Sequence, residues 1–143
     1  MRATAIKRLV LDASVAVAWC FANEHSGLAE NVLDLLSTGT EVVAPAVWPL
    51  EVANALLAAE RRKRITPAQV TALLQRISKL PIVIEPVPTA RAFEQVLSVA
   101  RQHQLTEYDA SYLELALREG LPLATLDLKL RQVARSAGVA LIE

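Results

Sequence analysis

The stretch Arg8-Leu-Val-Leu-Asp12-Ala-Ser-Val-Ala-Val-Ala-Trp19 decides the fold class of this 143-residue chain. Its first part, residues 8–12, is a short apolar run that ends in an acid, and it predicts a β-strand. The alanine-rich segment 14–22 follows at once and predicts a helix. A strand that leads directly into a helix is typical of α/β proteins with a parallel sheet.

The remainder of the chain repeats this alternation. Further strands are predicted at residues 41–44, 82–85, 123–125 and 139–142. Helices are predicted at residues 26–36, 49–63, 66–80, 89–103, 106–119 and 126–137. Because helical segments separate all five strands, the pattern predicts a five-stranded parallel sheet flanked by helices on both faces. No linker or repeat interrupts it, so residues 1–143 are expected to form a single domain.

Composition narrows the class of protein. Hydrophobic residues make up 53% of the chain and charged residues 21%, which excludes a disordered or collagen-like chain. Basic and acidic residues number 15 each, so net charge indicates neither a nucleic-acid nor a membrane partner. A single cysteine, Cys20, excludes a scaffold held by internal disulfides and suits a reducing cytoplasm.

The N-terminal apolar run 9–22 superficially resembles a signal peptide, because basic residues precede it. Asp12 lies inside this run, and a carboxylate there opposes membrane insertion by roughly 2.5–3.5 kcal/mol. The run is also shorter than the roughly 20 residues that a bilayer requires. We therefore expect a folded cytoplasmic protein with no membrane segment.

Four acids occupy the positions where an open α/β sheet builds its site. Asp12 and Asp127 follow predicted strands, while Glu51 and Asp109 lie in the first turns of predicted helices. Ligands of such sheets bind beyond the carboxyl ends of the strands. Apolar residues flank all four acids in sequence, and buried carboxylates are costly unless they are paired or hold a cation.

If the four acids converge, their mutual repulsion calls for a divalent metal. All-oxygen ligation suits Mg²⁺ or Mn²⁺. Helix-terminal roles are the alternative reading for three of them: Asp109 as the acid of a Thr106 cap, Glu51 as a charge favouring the helix dipole, and Asp127 as an N-cap. Asp12 has no such alternative, so we favour a shared metal site.

Four sequence blocks carry a resemblance to a known family. They are Asp12-Ala-Ser-Val-Ala-Val-Ala-Trp19, Glu51-Val-Ala-Asn-Ala-Leu56, Leu105-Thr-Glu-Tyr-Asp109-Ala-Ser-Tyr-Leu-Glu-Leu-Ala116 and Ala124-Thr-Leu-Asp127. In order and spacing they resemble the motif blocks of PIN-domain ribonucleases, in particular the VapC-type toxins of bacterial toxin–antitoxin pairs. The likeness spans residues 9–142.

The resemblance implies a PIN-like α/β fold and an Mg²⁺-dependent endoribonuclease that cleaves RNA. It also implies a homodimer and a cognate antitoxin protein that enters the active-site groove. Asp12 and Asp109 match the positions that hold the metal most directly, and Glu51 and Asp127 match the remaining catalytic acids. Ser14 matches a hydroxyl position beside the metal.

Several questions stay open at the level of sequence. Asn54, one helical turn beyond Glu51, either holds that carboxylate or is exposed. The basic cluster Arg61, Arg62, Lys63 and Arg64 either binds RNA phosphates or is a charged helix end. A catalytically silent partner-binding module and a phospho-acceptor domain are the alternative functions.

The expected homodimer has its own sequence argument. The two helices at 49–63 and 66–80 carry more apolar side chains than a small sheet edge needs, namely Leu56, Leu57, Val70, Leu73, Leu74 and Ile77. Part of that surface is therefore expected to be shared with a second copy.

Overall fold

The computed structural model describes residues 5–21 and 26–143. The strands of this part are β1 (Arg8–Leu11), β2 (Glu41–Pro45), β3 (Ile82–Glu85) and β4 (Leu123–Ala124). The helices are α1 (Ala13–Cys20), α2 (Gly27–Ser37), α3 (Trp48–Arg61), α4 (Pro67–Ser78), α5 (Thr89–Arg91), α6 (Leu97–His103), α7 (Glu107–Glu119) and α8 (Leu128–Ser136). A π-helical turn (Ala92–Val96) joins α5 to α6.

The strands form one parallel sheet in the order β3-β2-β1-β4. The chain moves outward from β1 through β2 to β3, and then crosses to the other side of β1 to add β4. Right-handed crossovers consequently place α1 to α4 on one face and α5 to α7 on the other. The predicted fold class, a parallel sheet flanked by helices, is confirmed.

The predicted number of five strands is wrong within the described residues, where the sheet has four. The segment 139–142 does run beside β4, but it makes only one parallel bridge, from Leu141 to Leu123. The reason is the shortness of β4, which pairs over two residues. Two backbone hydrogen bonds, from Leu123 to Ala140 and from Ile142 to Leu123, are all that this edge offers the C-terminal segment.

Helix ends follow local chemistry closely. Ser26, Thr66 and Thr106 accept hydrogen bonds from backbone amides at the starts of α2, α4 and α7, as Ser and Thr commonly do at this position. Thr66 and Gln69 complete a reciprocal capping box. Gly120 ends α7 with a φ of 65°, a conformation that glycine adopts without strain. The first helix ends at Cys20, earlier than predicted, and Ala22 lies outside the described residues.

The core lies where the helices cover the two central strands. The side chains of Leu9, Val10 and Leu11 in β1 are fully buried, as are Val42 and Val43 in β2. A strand covered on both faces has no solvent-facing side, which explains its uninterrupted apolar sequence.

The almost wholly apolar first half of the helix predicted at 49–63 indicates burial on most sides, and the apolar stripe of the helix predicted at 89–103 assigns Phe93 to the core. The structure corrects both predictions. The first half of α3 is not buried on most sides, because Leu50 is 73% exposed. Phe93 is not a core residue but 71% exposed, since it lies in the π-helical turn, which inserts a residue and rotates the following side chains.

The apolar side chains of α3 and α4 are divided between the core and partly exposed positions. Leu56 is fully buried, and Val70, Leu73 and Leu74 pack against it in a cluster with Phe21. None of the α4 residues is fully buried, so the expectation that part of this surface is shared with a second copy stays a prediction.

Candidate active site

The four predicted site acids lie at the carboxyl edge of the sheet. Asp12 directly follows β1, and Asp127 lies in the loop between β4 and α8. Glu51 and Asp109 lie in the first turns of α3 and α7. Because β2 and β4 flank β1 on opposite sides, Asp12 stands at the point where the strand order reverses, which is where open α/β sheets bind ligands.

A cavity of about 460 Å³ brings these acids together. All four carboxylate residues line it, with Ala13, Ser14, Val17, Ala18, Ala55 and Leu126 forming the rest of its wall. The expected convergence of Asp12, Glu51, Asp109 and Asp127 on one site is therefore met by the geometry.

Two hydroxyl groups hold the buried carboxylate of Asp12. Ser14 Oγ donates to Asp12 Oδ2 at 2.5 Å, and Thr125 Oγ1 donates to the same oxygen at 2.8 Å. The two hydroxyls also accept from the loop after β4: Ser14 Oγ from the amide of Leu126, and Thr125 Oγ1 from that of Asp127. This network fastens the β1–α1 junction to the loop that carries Asp127.

Electrostatics indicate crowded negative charge. Burial raises the pKa of Asp12, the hydrogen bonds of Ser14 and Thr125 oppose that rise, and the charge of Asp127 adds to it. Burial likewise raises the pKa of Asp109, and the charges of Asp12 and Asp127 raise it further. The acids are close enough to feel one another, which is the condition that a bound cation relieves.

The carboxylate of Glu51 is held by a side chain of α7. The hydroxyl of Tyr112, on α7, donates to Glu51 Oε1 at 2.5 Å. Burial raises the pKa of Glu51, the Tyr112 hydrogen bond lowers it, and the charges of Asp12 and Asp109 raise it again. Asn54 is exposed, so the residue that contacts this carboxylate is Tyr112 and not the asparagine one turn away.

Asp109 and Asp127 also have the helix-terminal roles that sequence suggested. Thr106 caps α7 by accepting from the amide of Asp109 at 3.1 Å, and Asp127 Oδ1 accepts from the amide of Leu130 at 2.9 Å as the N-cap of α8. The nearby Lys129 lowers the pKa of Asp109, and its Nζ donates to the carbonyl of Gln104 at 2.7 Å. These structural roles coexist with the shared cavity.

The donor set fits a divalent cation of the Mg²⁺ type. The polar side chains that line the cavity offer only oxygen, from four carboxylates and the Ser14 hydroxyl. Within residues 5–21 and 26–143, no three His, Cys, Asp or Glu side chains already surround one point as ligands would. The cavity thus has the charge and the ligand type for such an ion without a preformed coordination shell.

Glu107 and the basic cluster do not line this cavity. Glu107, two positions before Asp109, lines a different cavity, as its position on the helix predicts. The basic cluster of residues 61–64 is exposed at the far end of α3, about 15 Å along the helix axis from Glu51. Its Arg64 guanidinium lies 4.7 Å from the centre of the Phe21 ring.

Sequence reasoning missed two residues of the site, Thr125 and Tyr112. Thr125 follows β4 directly, so the rule that polar residues at strand ends matter could have identified it. Tyr112 lies three residues after Asp109 on α7 and so shares its face.

A second, apolar cavity of about 280 Å³ adjoins the neighbouring parts of α3 and α7. Val47, Leu50, Val87 and Tyr108 contribute to its wall, and we call these four residues the apolar patch. Leu50 and Tyr108 are mostly exposed although each directly precedes a site acid. Exposed apolar surface of this kind commonly marks an interaction site.

Comparison with known proteins agrees with this architecture. A family model described as PIN domain matches residues 9–136. Ribonuclease VapC3 of Pyrobaculum aerophilum is 29% identical over 125 residues, covering 87% of this chain and 93% of that protein.

Solved structures with a similar fold include two from toxin–antitoxin systems. VapC20 of Mycobacterium tuberculosis, described as a sarcin-ricin loop cleaving toxin, gives a TM-score of 0.67 at 16% identity and covers 92% of this chain and 96% of its own. VapBC2 of Rickettsia felis, bound to a DNA fragment from its promoter, gives 0.66 at 15% identity, with coverage of 94% and 96%. Within the described residues, no helix is both long and apolar enough to span a membrane.

Proposed function

This chain belongs to the PIN domain family, and from that premise we propose that it is a metal-dependent endoribonuclease, the toxin of a toxin–antitoxin pair. The observation that carries the proposal is the convergence of Asp12, Glu51, Asp109 and Asp127 on one cavity. The ribonuclease relative and the toxin structures of the same fold support it.

The four site acids have different proposed roles. Asp12, which is buried, and Asp109, which is half-buried, would hold the cation, Mg²⁺ or its substitute Mn²⁺, as the family motif positions that they match imply. Glu51 and Asp127 lie on other elements of the same cavity and orient the attacking water. Ser14 and Thr125 keep Asp12 in place through its Oδ2.

When bound, a divalent cation polarises a phosphodiester and lowers the pKa of water. The chain supplies the charge that retains it and the carboxylates that position the nucleophile. Attack by water leaves a 5′-phosphate and a 3′-hydroxyl and does not need the 2′-hydroxyl of RNA. Cytoplasmic RNA is the pool of substrate that this reaction implies.

Incubation of the purified protein with total RNA tests the proposal, with Mg²⁺, with Mn²⁺ and with a chelator. We expect cleavage that requires the metal and that is lost in Asp12→Asn and Asp109→Asn. Asp34→Asn is the matched control, because Asp34 is the one aspartate of the chain that does not line the acid cavity. Equal cleavage by wild type and Asp12→Asn, with contaminating nuclease excluded, would reject the acid cavity as the active site. No cleavage by the wild type with either metal would favour a catalytically silent partner-binding module.

An antitoxin is the proposed protein partner. A helix of such a protein can lie in a groove of the toxin and direct an Arg or Lys at the acid cavity, displacing the cation or blocking RNA. Co-expression with an adjacent small gene tests this part. Persistent toxicity without a co-purifying complex would reject the antitoxin while leaving the nuclease assignment intact.

A homodimer is the proposed state of the toxin itself. Leu50 and Tyr108 are exposed apolar side chains beside the site acids Glu51 and Asp109, whereas Leu56 is fully buried. We therefore place the shared surface at the apolar patch. Its Leu50 and Tyr108 lie on the same two helices as Glu51 and Asp109, so a second copy would contact the helices that carry two of the site acids.

A further inference from the structure

Tyr112 is the largest fully buried side chain of the described residues, and it packs in the main core. A buried phenol needs a partner for its hydroxyl. Tyr112 finds that partner in Glu51, 61 positions earlier in the chain, at 2.5 Å from its Oε1. The hydroxyl of a core residue therefore contacts a carboxylate that lines the acid cavity.

The direction of this hydrogen bond is fixed. Burial, and then the bond to Glu51, raise the pKa of Tyr112 above its usual range, so the hydroxyl keeps its proton and donates. Its ring is enclosed by the core and cannot follow a moving carboxylate. Glu51, by contrast, is half-buried on the first turn of α3 and would otherwise be free to change rotamer toward solvent.

We infer that Tyr112 is a positioning residue: its hydroxyl holds Oε1 of Glu51 and thereby directs that carboxylate into the acid cavity. Asp109 and Tyr112 lie three residues apart on α7, so this helix supplies one site acid and fixes another that belongs to α3. The inference rests on the proposed metal-dependent function, because the cation and its water are what a directed Glu51 would serve.

Titration of the metal-free full-length protein with Mn²⁺, followed by the electron paramagnetic resonance of the free ion, tests this role without measuring activity. Tyr112→Phe removes the hydroxyl and leaves the ring in the core. We expect the Kd for Mn²⁺ to rise by about 10-fold, the lower end of the effect of groups that hold the residues around a metal site, because the charge of Glu51 would no longer be held toward the cation. Excess Mn²⁺ should still saturate the site of the variant, which would not happen if the substitution merely damaged the fold.

Ser111→Ala is the matched control on the same helix. It also removes a buried hydroxyl, but Ser111 Oγ donates to the backbone carbonyl of Tyr108 at 2.6 Å and not to a site acid. Mn²⁺ affinity in this variant should equal that of the wild type. Near-ultraviolet circular dichroism of all variants reports whether the aromatic core remains intact.

A double-mutant comparison tests whether Tyr112 affects Mn²⁺ affinity through Glu51. In a Glu51→Ala background, Tyr112→Phe should cause no further loss of Mn²⁺ affinity. Equal affinity of wild type and Tyr112→Phe would overturn the inference, and so would an undiminished loss in the Glu51→Ala background. A wild type that binds no Mn²⁺ at all would instead overturn the proposed function on which the inference rests.

Discussion

Thr125 donates a 2.8 Å hydrogen bond to Oδ2 of Asp12, and so joins two positions that are 113 residues apart in the chain. Both side chains are buried, Thr125 completely. The bond joins the carboxyl end of β1 to that of β4. It thereby connects Asp12 to the loop that carries Asp127.

Substitution of Thr125 by Val tests the importance of this bond. Val has nearly the same shape but leaves buried Asp12 without one donor and the amide of Asp127 without its acceptor. We expect a loss of about 1–3 kcal/mol in the free energy of unfolding, measured by urea denaturation, together with weaker RNA cleavage. Thr125→Ser, which keeps the hydroxyl, should retain most of both. A Val variant as stable and as active as wild type would contradict the network.

Asp12→Asn separates catalysis from stability. The amide oxygen can still accept from Ser14 and Thr125, but the buried charge and its repulsion with Asp127 are gone. RNA cleavage should fall on the order of 100-fold or more, at or beyond the upper end of what loss of an orienting group causes. The Tm of the metal-free variant should nevertheless exceed that of the wild type, and calorimetry in chelator would show it.

Addition of Mg²⁺ should raise the Tm of the wild type more than that of the variant. A variant less stable than wild type in chelator would argue that Asp12 is favourably paired.

The stability difference between Asp12→Asn and wild type should depend on pH. The pKa of Asp12 is raised in the folded protein, mainly by burial. Between the unfolded value, about 3.9, and the raised folded value, the folded state binds more protons than the unfolded state. Its free energy of unfolding therefore decreases as pH rises through this window.

The variant lacks this titration, so its advantage over the wild type should be smallest near pH 4, grow as pH rises, and become constant above the folded pKa. Urea denaturation of both proteins in chelator between pH 4 and pH 8 measures the difference. An advantage that shrinks with rising pH would mean that the folded environment favours the charged form of Asp12.

The apolar patch should hold the homodimer together. Light scattering at micromolar concentration should give the wild type twice the 15.5 kDa mass of one chain. Leu50→Arg places a charge on the patch and should give a monomer, because burying an unpaired charge in an interface is unfavourable. Leu117→Arg is the control, since Leu117 is also exposed but lies near the end of α7, outside the patch. A monomeric wild type would exclude the dimer, and a dimeric Leu50→Arg would place the interface elsewhere.

Local sequence determined most of the elements that form and the positions of the acids at their ends. The apolar run before Asp12 can only be a strand covered on both faces, and the caps at Thr66 and Thr106 satisfy amides of the helices they begin. These signals depend on neighbouring residues, so they can be seen without the fold. Ligands of open α/β sheets bind beyond the carboxyl ends of the strands. This rule predicted that Asp12, Glu51, Asp109 and Asp127 lie at one edge of the sheet.

Tertiary structure alone decided which side chains hold those acids. Tyr112 reaches Glu51 across 61 positions and Thr125 reaches Asp12 across 113, whereas the nearby candidate Asn54 is exposed. It also decided that Leu56 is core and Leu50 surface, although both are apolar residues of α3. The physical reason is that burial and hydrogen bonding depend on distance in space. Sequence fixes the periodicity of a helix, but only the packing of α3 against α1 and α4 selects the face that is covered.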